Sequence, residues 1–437
     1  MTLVLPDWLV VAADRPPNRG WGLRVDGDRV DRVGPHADLR QAFPDDEVIE
    51  APDRALLPGF VNAHVHLYGT LAHGIPVDEA PADFWGFLDN YWWPKVEDAL
   101  DTEMIVAATD FACAEMLRSG ITTFYDIVEA PNALPEVLLA QREVVRRHGQ
   151  RGLLSFEATE RSGQEIARRG LAENADFIDA CRDDDLVGGL MCWHTTFTCS
   201  DDFITEAFGL ANDRGVLSHA HVNEGIHEGQ WCEEANGHRT VEHYDRLGVA
   251  GPDFLASQCV QVSAIEQRLL AERGVRIAHM PLANCEVGGG FAPIPELLDA
   301  GATIGLGSDG YINDFFAVMR GAFLVHKARR QDPGVMPADR VLHMATAGGA
   351  EALGLDGVGR LEPGWSADLQ LVDTGLPTPL TEHNLAEQLV LWRNHRDVTD
   401  VMVAGRWRVR DGELLDTDLG LLRARTREQA DRLWARA

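Results

Sequence analysis

Short apolar runs alternate with longer amphipathic segments through most of the chain. Between Leu56 and about Gly354, the apolar runs are rich in β-branched residues, and the segments between them have helical periodicity. Strands that alternate with helices in this way build a parallel sheet covered by helices. The predicted strands begin at Leu56, Ile121, Arg151, Val187, Val216, Phe254, Val275 and Ala302. This number of βα units predicts an α/β fold of the (β/α)8 TIM-barrel type.

The helix predicted after the first strand has marked ends. It lies in DTEMIVAATDFACAEMLRSG, where Asp101 or Thr102 can cap the first turn. Gly120 follows the last apolar position and can end the helix. The pattern therefore predicts a helix between these residues.

The two ends of the chain follow a different pattern. Residues 1–55 and 363–413 contain short runs of strand-like residues, separated by turns rich in Gly and Asp. We therefore expect residues 1–55 and 363–437, with a terminal helix, to meet in a small second domain. Residues 56–362 are expected to form the catalytic barrel.

Candidate metal ligands lie at the ends of three predicted strands. His64 and His66 are two residues apart at the end of the first strand, so both side chains lie on the same face. His219 and His221 end the fifth strand, and periodicity does not decide which of them binds a metal. Asp309 follows the eighth strand. Three imidazoles and a carboxylate leave an open position for water, as a catalytic Zn²⁺ or Fe²⁺ site requires.

Composition and charge exclude several other classes of protein. The chain has 39 Lys and Arg against 69 Asp and Glu, a net charge of −30, which argues against nucleic-acid binding and against a protein that coats an anionic membrane. The 7 cysteines are dispersed without a CxxC pair, so no disulfide framework is expected. Pro6 and Asp7 interrupt the apolar start, and no run approaches the roughly 18 residues of a membrane helix. We expect a soluble, cytoplasmic protein.

Four motifs carry a family resemblance. PGFVNAHVHLYG, HAHVNEG, HMPLAN and GLGSDG resemble the signatures of the amidohydrolase superfamily. They are most similar to the mononuclear aminohydrolases and chlorohydrolases, a subgroup that includes guanine, cytosine and S-adenosylhomocysteine deaminases. The segments YWWPKVEDALD and FEATERSGQEIARRGLAENADFI further resemble aminohydrolases associated with selenium metabolism. The resemblance covers nearly the whole chain, including the flanks, which form a β-sandwich in this superfamily.

The resemblance implies an activity and a set of site residues. It implies a hydrolytic deaminase that uses one divalent metal ion to attack an amino-bearing carbon of a small nitrogen heterocycle and release ammonia. His221 is chosen over His219 because it stands three residues before Glu224, which would protonate a ring nitrogen and the leaving group. Asp309 would also accept a proton from the metal-bound water. The implied metal ligands are His64, His66, His221 and Asp309.

The lysine content favours one metal ion. Lys95 and Lys327 are the only lysines in the sequence. Binuclear members of the superfamily bridge two metals with a carboxylated lysine at the end of a middle strand, and neither lysine has that position. We expect one ion, Zn²⁺ or Fe²⁺.

Gln258 departs from the pattern of the deaminases, which usually carry histidine at this place. An amide can form hydrogen bonds but does not titrate, so Gln258 could orient the reacting water or a carbonyl oxygen without acting as a base. This keeps open the hydrolysis of a cyclic amide, or the displacement of chloride or an alkylthio group. A non-catalytic barrel that only binds a ligand is a third hypothesis, and the intact ligands and Glu224 argue against it.

Further residues near the strand ends are candidate substrate contacts. A purely structural role remains open for His194 and Trp93, and His279 could instead support a metal ligand. The partner is expected to be a small molecule, and the resemblance also implies a possible homodimer. The candidate contacts are His194, His73, Trp93, Glu97 and His279.

Overall fold

The computed structural model describes residues 1–77, 79–310 and 314–436. The chain starts with strands that belong to one sheet, and a short helix, α1, interrupts them at His36–Ala42. These strands are β1 (Thr2–Leu9), β2 (Asn18–Arg19), β3 (Trp21–Asp26), β4 (Arg29–Pro35) and β5 (Glu47–Pro58).

The middle of the chain forms a parallel barrel. Its strands are β6 (Phe60–Val65), β7 (Ile121–Val128), β8 (Arg151–Phe156), β9 (Val187–Gly189), β10 (Met191–Cys192), β11 (Ser218–Val222), β12 (Phe254–Gln258), β13 (Arg276–His279) and β14 (Ile304–Leu306). β9 and β10 are two pieces of the fourth barrel strand. Parallel bridges from Val65 to Asp309 and from Ala158 to Trp193 join the two sheets into which the strands fall. The predicted TIM-type barrel is confirmed.

Helices connect the barrel strands and cover the barrel. Two short helices, α2 (Phe84–Phe87) and α3 (Trp93–Lys95), lie between β6 and the first long helix. The remaining barrel helices are α4 (Thr102–Arg118), α5 (Val137–His148), α6 (Gln164–Ala180), α7 (Asp201–Arg214), α8 (Ile226–Asn236), α9 (Thr240–Arg246), α10 (Ala264–Arg273), α11 (Pro281–Glu286), α12 (Ile294–Asp299), α13 (Phe315–Arg330), α14 (Ala338–Met344) and α15 (Ala347–Ala352).

α4 has the ends that its sequence predicts. The carboxylate of Asp101 accepts a hydrogen bond from the backbone N–H of Met104 at 3.1 Å, so Asp101 rather than Thr102 is the cap. Gly120 follows the helix with φ of +81°, a conformation that favours glycine. None of the described helices is long and apolar enough to cross a membrane.

The first barrel strand starts later than predicted. Leu56 pairs with Leu9 of β1 and with Leu371, so it belongs to the sheet of the chain ends rather than to the barrel. Gly59 separates the two strands, and a Cβ at this position would lie 2.2 Å from the side chain of Thr122. The chain therefore passes from sheet to barrel at a residue where any larger side chain would clash.

The end of the chain returns to the first sheet. Four more strands follow the barrel: β15 (Leu369–Asp373), β16 (Val398–Val403), β17 (Arg406–Arg410) and β18 (Glu413–Leu414). β15 lies beside β5, and the strands of both chain ends form one nine-stranded sheet in the order β18-β17-β16-β15-β5-β1-β3-β4, with β2 on β1. The terminal helix lies on the barrel instead, where the indole N–H of Trp434 donates to the carbonyl of Leu71 at 2.8 Å and Arg432 pairs with Asp101 at 2.8 Å. The two helices of this part of the chain are α16 (Leu385–Trp392) and the terminal helix α17 (Leu419–Trp434).

Candidate metal centre and active site

Three histidines meet at the carboxyl end of the barrel strands. His64 lies in β6 and His66 directly follows that strand, and His221 is the last residue but one of β11. Each of the three offers a ring nitrogen, and these nitrogens lie within 4.8 Å of one another. The Nε2 atoms of His64 and His66 are 3.2 Å apart. Sequence alternation therefore brings the predicted imidazoles together at the barrel mouth.

Hydrogen bonds orient two of these rings. Nδ1 of His66 donates to the carbonyl of Ile127 at 2.8 Å, and Nδ1 of His221 donates to Oε1 of Glu157 at 2.7 Å. Each bond engages Nδ1 and leaves Nε2 as the ring nitrogen that can face a metal ion. Both rings thus present the nitrogen that a metal ion requires.

The electrostatics of the cluster suit a cation. Burial lowers the pKa of His64 and of His66, so both rings are neutral. Burial would also lower the pKa of His221, but the Glu157 carboxylate outweighs burial and raises it to about 9. His64 and His66 are thus neutral donors, whereas a positive charge is favoured at His221, so a divalent metal ion that replaces its proton fits the residues present.

Asp309 lies beside the histidines and is held by an amide. Its Oδ1 is 3.8 Å from Nε2 of His66 and accepts the backbone N–H of Gly310 at 2.7 Å. Its Oδ2 accepts the side-chain N–H of Gln258 at 2.8 Å. Gln258 therefore orients the carboxylate by donating a hydrogen bond and leaves its own oxygen without a described partner.

Glu224 lines the same cavity and has a raised pKa. Burial is the main cause that raises the pKa of Glu224 to about 8, and the nearby Asp309 carboxylate adds to the effect. A carboxyl with a pKa near the working pH can take up and release a proton in turn. Glu224 and Asp309 are thus two carboxylates in different environments at one site.

The backbone is strained where the strands reach this site. Four residues other than glycine have positive φ: Asn223 at +51°, Gln258 at +72°, Cys259 at +49° and Asp309 at +61°. Each such conformation costs on the order of 1 kcal/mol or more and persists only where the surroundings hold it. Here it turns the Gln258 and Asp309 side chains toward each other at the barrel mouth.

A cavity of about 50 Å³ lies over the cluster. The metal side of the cavity is polar, and the roof is made of aromatic and apolar residues from the segment around α2. The lining residues are His66, Phe84, Phe87, Leu88, Trp92, Trp93, Glu97, Glu157, His194, His221, Glu224, Ala283, Val287, Asp309 and Gly310. A volume of this size holds a few water molecules.

Glu97 enters the cavity from a buried ionic network. Oε1 accepts the hydroxyl of Tyr68 at 2.8 Å, and Oε2 pairs with Arg161 at 3.1 Å. Arg161 also pairs with Glu129 and with Asp98. Burial is the main cause that raises the pKa of Glu97 to about 7.

The other candidate contacts occupy different places. His194 and Trp93 line the cavity with their rings 5.7 Å apart, and burial lowers the pKa of His194 to about 3. His73 is exposed on the rim, where Nε2 donates to the carbonyl of Gly310 at 2.9 Å, and it does not line this cavity.

His279 also lies away from the cavity. Its Nε2 is 3.1 Å from Nε2 of His326 on α13, so its side chain points from β13 toward the covering helices. His219 is fully buried below His64, with Nδ1 3.2 Å from Sγ of Cys192. It stands in the barrel interior, where a core residue is expected.

Three charged residues of the site were not among the predicted ones. Glu157 and Glu129 follow the third and second barrel strands, and Arg161 comes four residues after Glu157. Both glutamates stand just after a buried strand, and this is the sequence feature from which Asp309 was predicted as a site residue. Arg161 has no comparable signal, because its partners are distant in the sequence.

Comparison with known proteins agrees with this site. The model of the amidohydrolase family matches residues 55–408. The chain is 33% identical over 375 residues to 5'-deoxyadenosine deaminase of Methanothermobacter thermautotrophicus, covering 84% of this chain and 85% of that one. It is 32% identical to 5-methylthioadenosine/S-adenosylhomocysteine deaminase of Pelotomaculum thermopropionicum, covering 94% and 93%.

A solved structure shares the whole architecture. An adenosine deaminase from Xanthomonas campestris with bound zinc superposes with a TM-score of 0.91 at 28% identity, covering 99% of this chain and 98% of the other. The family model covers well over half of the sequence, and the ligand cluster lies within the matched residues. The chain therefore belongs to the amidohydrolase family.

Proposed function

We propose that this protein is a metal-dependent hydrolytic deaminase of an amino-bearing nitrogen heterocycle, with Zn²⁺ as the resident ion. The observation that carries the proposal is the convergence of His64, His66 and His221 beside Asp309 and Glu224. Both the family and the relatives named above are consistent with hydrolysis of a carbon–nitrogen bond. Fe²⁺ is chemically possible in the same ligand set.

We assign the metal ligands to His64, His66, His221 and Asp309. A divalent ion held there would lower the pKa of bound water to about 7. Asp309 stands next to the histidines and would accept the proton, with Gln258 keeping its other oxygen in place. Glu224 would carry a proton to the ring nitrogen and then to the leaving amine, for which a pKa of about 8 is suitable.

The relatives point to an adenine nucleoside as the substrate. Two of them are named as deaminases of 5'-deoxyadenosine and of 5-methylthioadenosine or S-adenosylhomocysteine, and they align over most of the chain. We therefore propose that the leaving group is the exocyclic amine of an adenine ring. Trp93, His194 and Glu97 line the cavity and would contact the substrate.

Gln258 favours one alternative activity. The side-chain amide of Gln258 is hydrogen-bonded to Asp309 and does not titrate. The site could therefore hydrolyse a cyclic amide, or displace chloride or an alkylthio group, without a histidine at this position. Ring opening adds the mass of water and releases no ammonia. Product mass therefore separates the two activities.

The test is a metal analysis followed by a substrate screen. We expect one Zn²⁺ per chain and ammonia release from at least one adenine nucleoside, with loss of turnover and retention of metal in Glu224→Gln. A matched control is Glu234→Gln, an exposed glutamate on the following helix. Metal-loaded protein that opens rings instead, or that turns over none of the aminated purines, pyrimidines, pterins and triazines, contradicts the proposal.

We also propose a domain division and a location. Residues 1–55 and 363–437, apart from the terminal helix that lies on the barrel, would form a small β-sandwich beside the barrel of residues 56–362. The sheet shared by both chain ends supports this division with the first boundary moved to Pro58. The 7 cysteines are all unpaired, which suits a reducing compartment such as the cytoplasm. A homodimer and the absence of a nucleic-acid partner stay predictions.

A further inference from the structure

We infer that Asn223 is a positioning residue for proton transfer: it fixes the direction of the Glu224 side chain and links the loop that carries Glu224 to the loop that follows Gln258. This inference rests on the proposed function, which gives Glu224 its role in proton transfer. Asn223 is not among the residues that line the cavity. It therefore acts through its neighbours rather than by contact with the substrate.

The backbone turns sharply at Asn223. β11 ends at Val222, and Asn223 follows it with φ of +51°, in the left-handed region. Residues other than glycine rarely adopt this conformation, although asparagine does so more readily than most. Glu224 is the next residue, so the turn at Asn223 sets the direction in which the carboxyl of Glu224 leaves the strand. A change in this turn would move the group that transfers the proton.

Hydrogen bonds hold Asn223 in this conformation. Its Nδ2 donates to Oε1 of Glu266 at 3.0 Å, and its Oδ1 accepts the hydroxyl of Thr240 at 2.9 Å. Its backbone N–H donates to Oε2 of Glu228. Glu266 is itself held by Arg239, with Nε and Oε2 2.8 Å apart. Because Asn223 is fully buried, its amide would be costly without these partners, and together they oppose any rotation of the side chain.

The carbonyl group of Asn223 forms the link to the next barrel strand. It accepts the backbone N–H of Val260 at 3.1 Å and that of Gln261 at 2.8 Å. Both residues are in the loop after β12, and the last residue of β12 is Gln258, which donates to Asp309 at 2.8 Å. Asn223 thus joins the loop of the proton-transfer group to the loop that supports the carboxylate beside the histidines.

The proposed reaction gives these two loops a reason to share an anchor. Asp309 accepts a proton beside the histidines, and Glu224 delivers one to the heterocycle and then to the leaving amine. Each transfer requires its donor and acceptor to lie within hydrogen-bond distance, so the two carboxyl groups must keep their places relative to one substrate. A displacement of about 1 Å at such a site can lower a rate by about 100-fold.

The main test variant is Asn223→Gly in the zinc-loaded full chain. Glycine adopts a positive φ without strain and keeps the backbone groups, so this change removes only the two side-chain hydrogen bonds. We expect kcat for ammonia release from adenosine to fall by about 30-fold, with zinc content unchanged and KM within about threefold. Thr240→Val removes one of the two bonds and should lower kcat by about fivefold.

The control is Asn384→Gly, just before α16. Asn384 also forms two side-chain hydrogen bonds, accepting the N–H of Thr381 at 2.8 Å and donating to the carbonyl of Pro379 at 3.1 Å. It lies between β15 and β16, outside the barrel. Its kcat should stay within about twofold of that of the unaltered protein.

A change of leaving group separates positioning from a general loss of structure. The amine needs a proton from Glu224 to leave, whereas 6-chloropurine riboside loses chloride as an anion, while water forms the new C–O bond and releases its proton to solvent. Asn223→Gly should therefore lower the ratio of the adenosine rate to the chloro-compound rate by about tenfold. A damaged barrel would slow both reactions equally, and an unchanged ratio overturns the inference.

The same ratio decides the matter if Asn223→Gly does not fold. Thr240→Val keeps the backbone and nearly the same side-chain volume, and it should lower the ratio by about threefold. A ratio equal to that of the unaltered protein in this variant would count against the role of Asn223.

Amide hydrogen exchange tests the link between the loops without a substrate. Asn223→Gly should increase exchange at Val260 and Gln261, whose N–H groups donate to the carbonyl of residue 223, by about tenfold. Asn384→Gly should leave exchange there unchanged. If adenosine is deaminated but neither exchange nor the rate ratio changes in Asn223→Gly, the inference is overturned and the proposed function stands. If neither compound is turned over but exchange rises as expected, the anchoring by Asn223 stands and the proposed function fails.

Discussion

Side chains at the ends of the barrel strands act here in pairs. Glu157 forms a hydrogen bond with His221, and Gln258 forms one with Asp309, and both bonds are shorter than 3 Å. The supporting residue fixes which atom of its partner faces the cavity. The metal site therefore depends on residues that would not contact the metal.

Replacing Glu157 should weaken metal binding without removing a ligand. In Glu157→Gln the ring of His221 loses its negatively charged acceptor, so its Nε2 becomes a weaker ligand. We expect Zn²⁺ affinity to fall by about 10- to 100-fold in competition with a chelator. Glu160→Gln is the control, because Glu160 follows the same strand and contacts Ser200 and Gln164 rather than a histidine. Equal affinity in the two variants would contradict the role given to Glu157.

Replacing Gln258 should affect turnover more than metal content. Gln258→Met keeps much of the side-chain volume but leaves Oδ2 of Asp309 without its donor. Hydrogen bonds to charged groups contribute about 1.5–3 kcal/mol, so we expect kcat to fall by about 10- to 100-fold. Gln150→Met serves as the control, since Gln150 is also buried but bonds to Ile121 at the start of β7, away from the site. Unchanged kcat in Gln258→Met would refute this role.

At the scale of elements, the cavity roof is joined to the loop that carries Glu224. Trp85 of α2 stacks on His227 with ring centroids 4.0 Å apart, and Phe84 packs against Gly225. A Cβ at position 225 would lie 2.5 Å from the Phe84 ring. Gly225 thus allows the roof to approach the loop closely.

Adding a methyl group at this contact should loosen the roof. Gly225 has φ of −114°, so alanine fits the backbone, and the nearest atoms to its Cβ belong to Phe84. We expect Gly225→Ala to raise KM by about tenfold while metal content stays the same. Gly209→Ala on α7 is the control because nothing lies within 4 Å of its Cβ. An equal KM for Gly225→Ala and the unaltered protein would show that the roof does not depend on this contact.

The element pattern explains what the sequence could and could not predict. Buried parallel strands are nearly continuous apolar runs in the sequence. The barrel strands, and the position of Asp309 after the last of them, can therefore be predicted from the sequence. The boundary between sheet and barrel at Gly59 cannot be predicted from the sequence, because it depends on contact with Thr122, which is distant in the sequence. His279 was predicted near the substrate from a motif, yet the pleat of β13 turns it toward His326.

At the scale of the whole molecule, buried carboxyl groups make stability depend on pH. Burial is the main cause that raises the pKa of Glu228 and of Asp126 to about 7. In the unfolded chain such groups titrate near pH 4, so the folded state binds more protons between about pH 4 and 7. Their stabilising contribution is complete below the unfolded pKa and is lost as pH rises through the folded pKa.

The contribution of Glu228 and Asp126 to the free energy of unfolding of the metal-free protein should therefore fall between about pH 4.5 and 7. Glu228 alone accounts for up to about 3 kcal/mol of this change. The side chain in Glu228→Gln cannot ionise, so the free energy of unfolding of this variant should rise with pH relative to that of the unaltered protein, as measured by urea titrations at several pH values. The control is Glu233→Gln, an exposed residue of the same helix, which should keep the original slope. A slope that is the same in all three proteins would disprove the assignment.

The sheet shared by both chain ends also sets an order of events during synthesis on the ribosome. β5 leaves the ribosome before the barrel, but its neighbour β15 follows only after the last barrel helices. Until then β5 has one partner, β1, and an open edge of unpaired backbone groups next to the buried Leu56 and Leu57. An open edge of this kind can pair with another chain. A nascent chain whose translation stops within the barrel sequence would thus expose the edge of β5 to pairing with other chains, whereas in the finished chain β15 covers that edge.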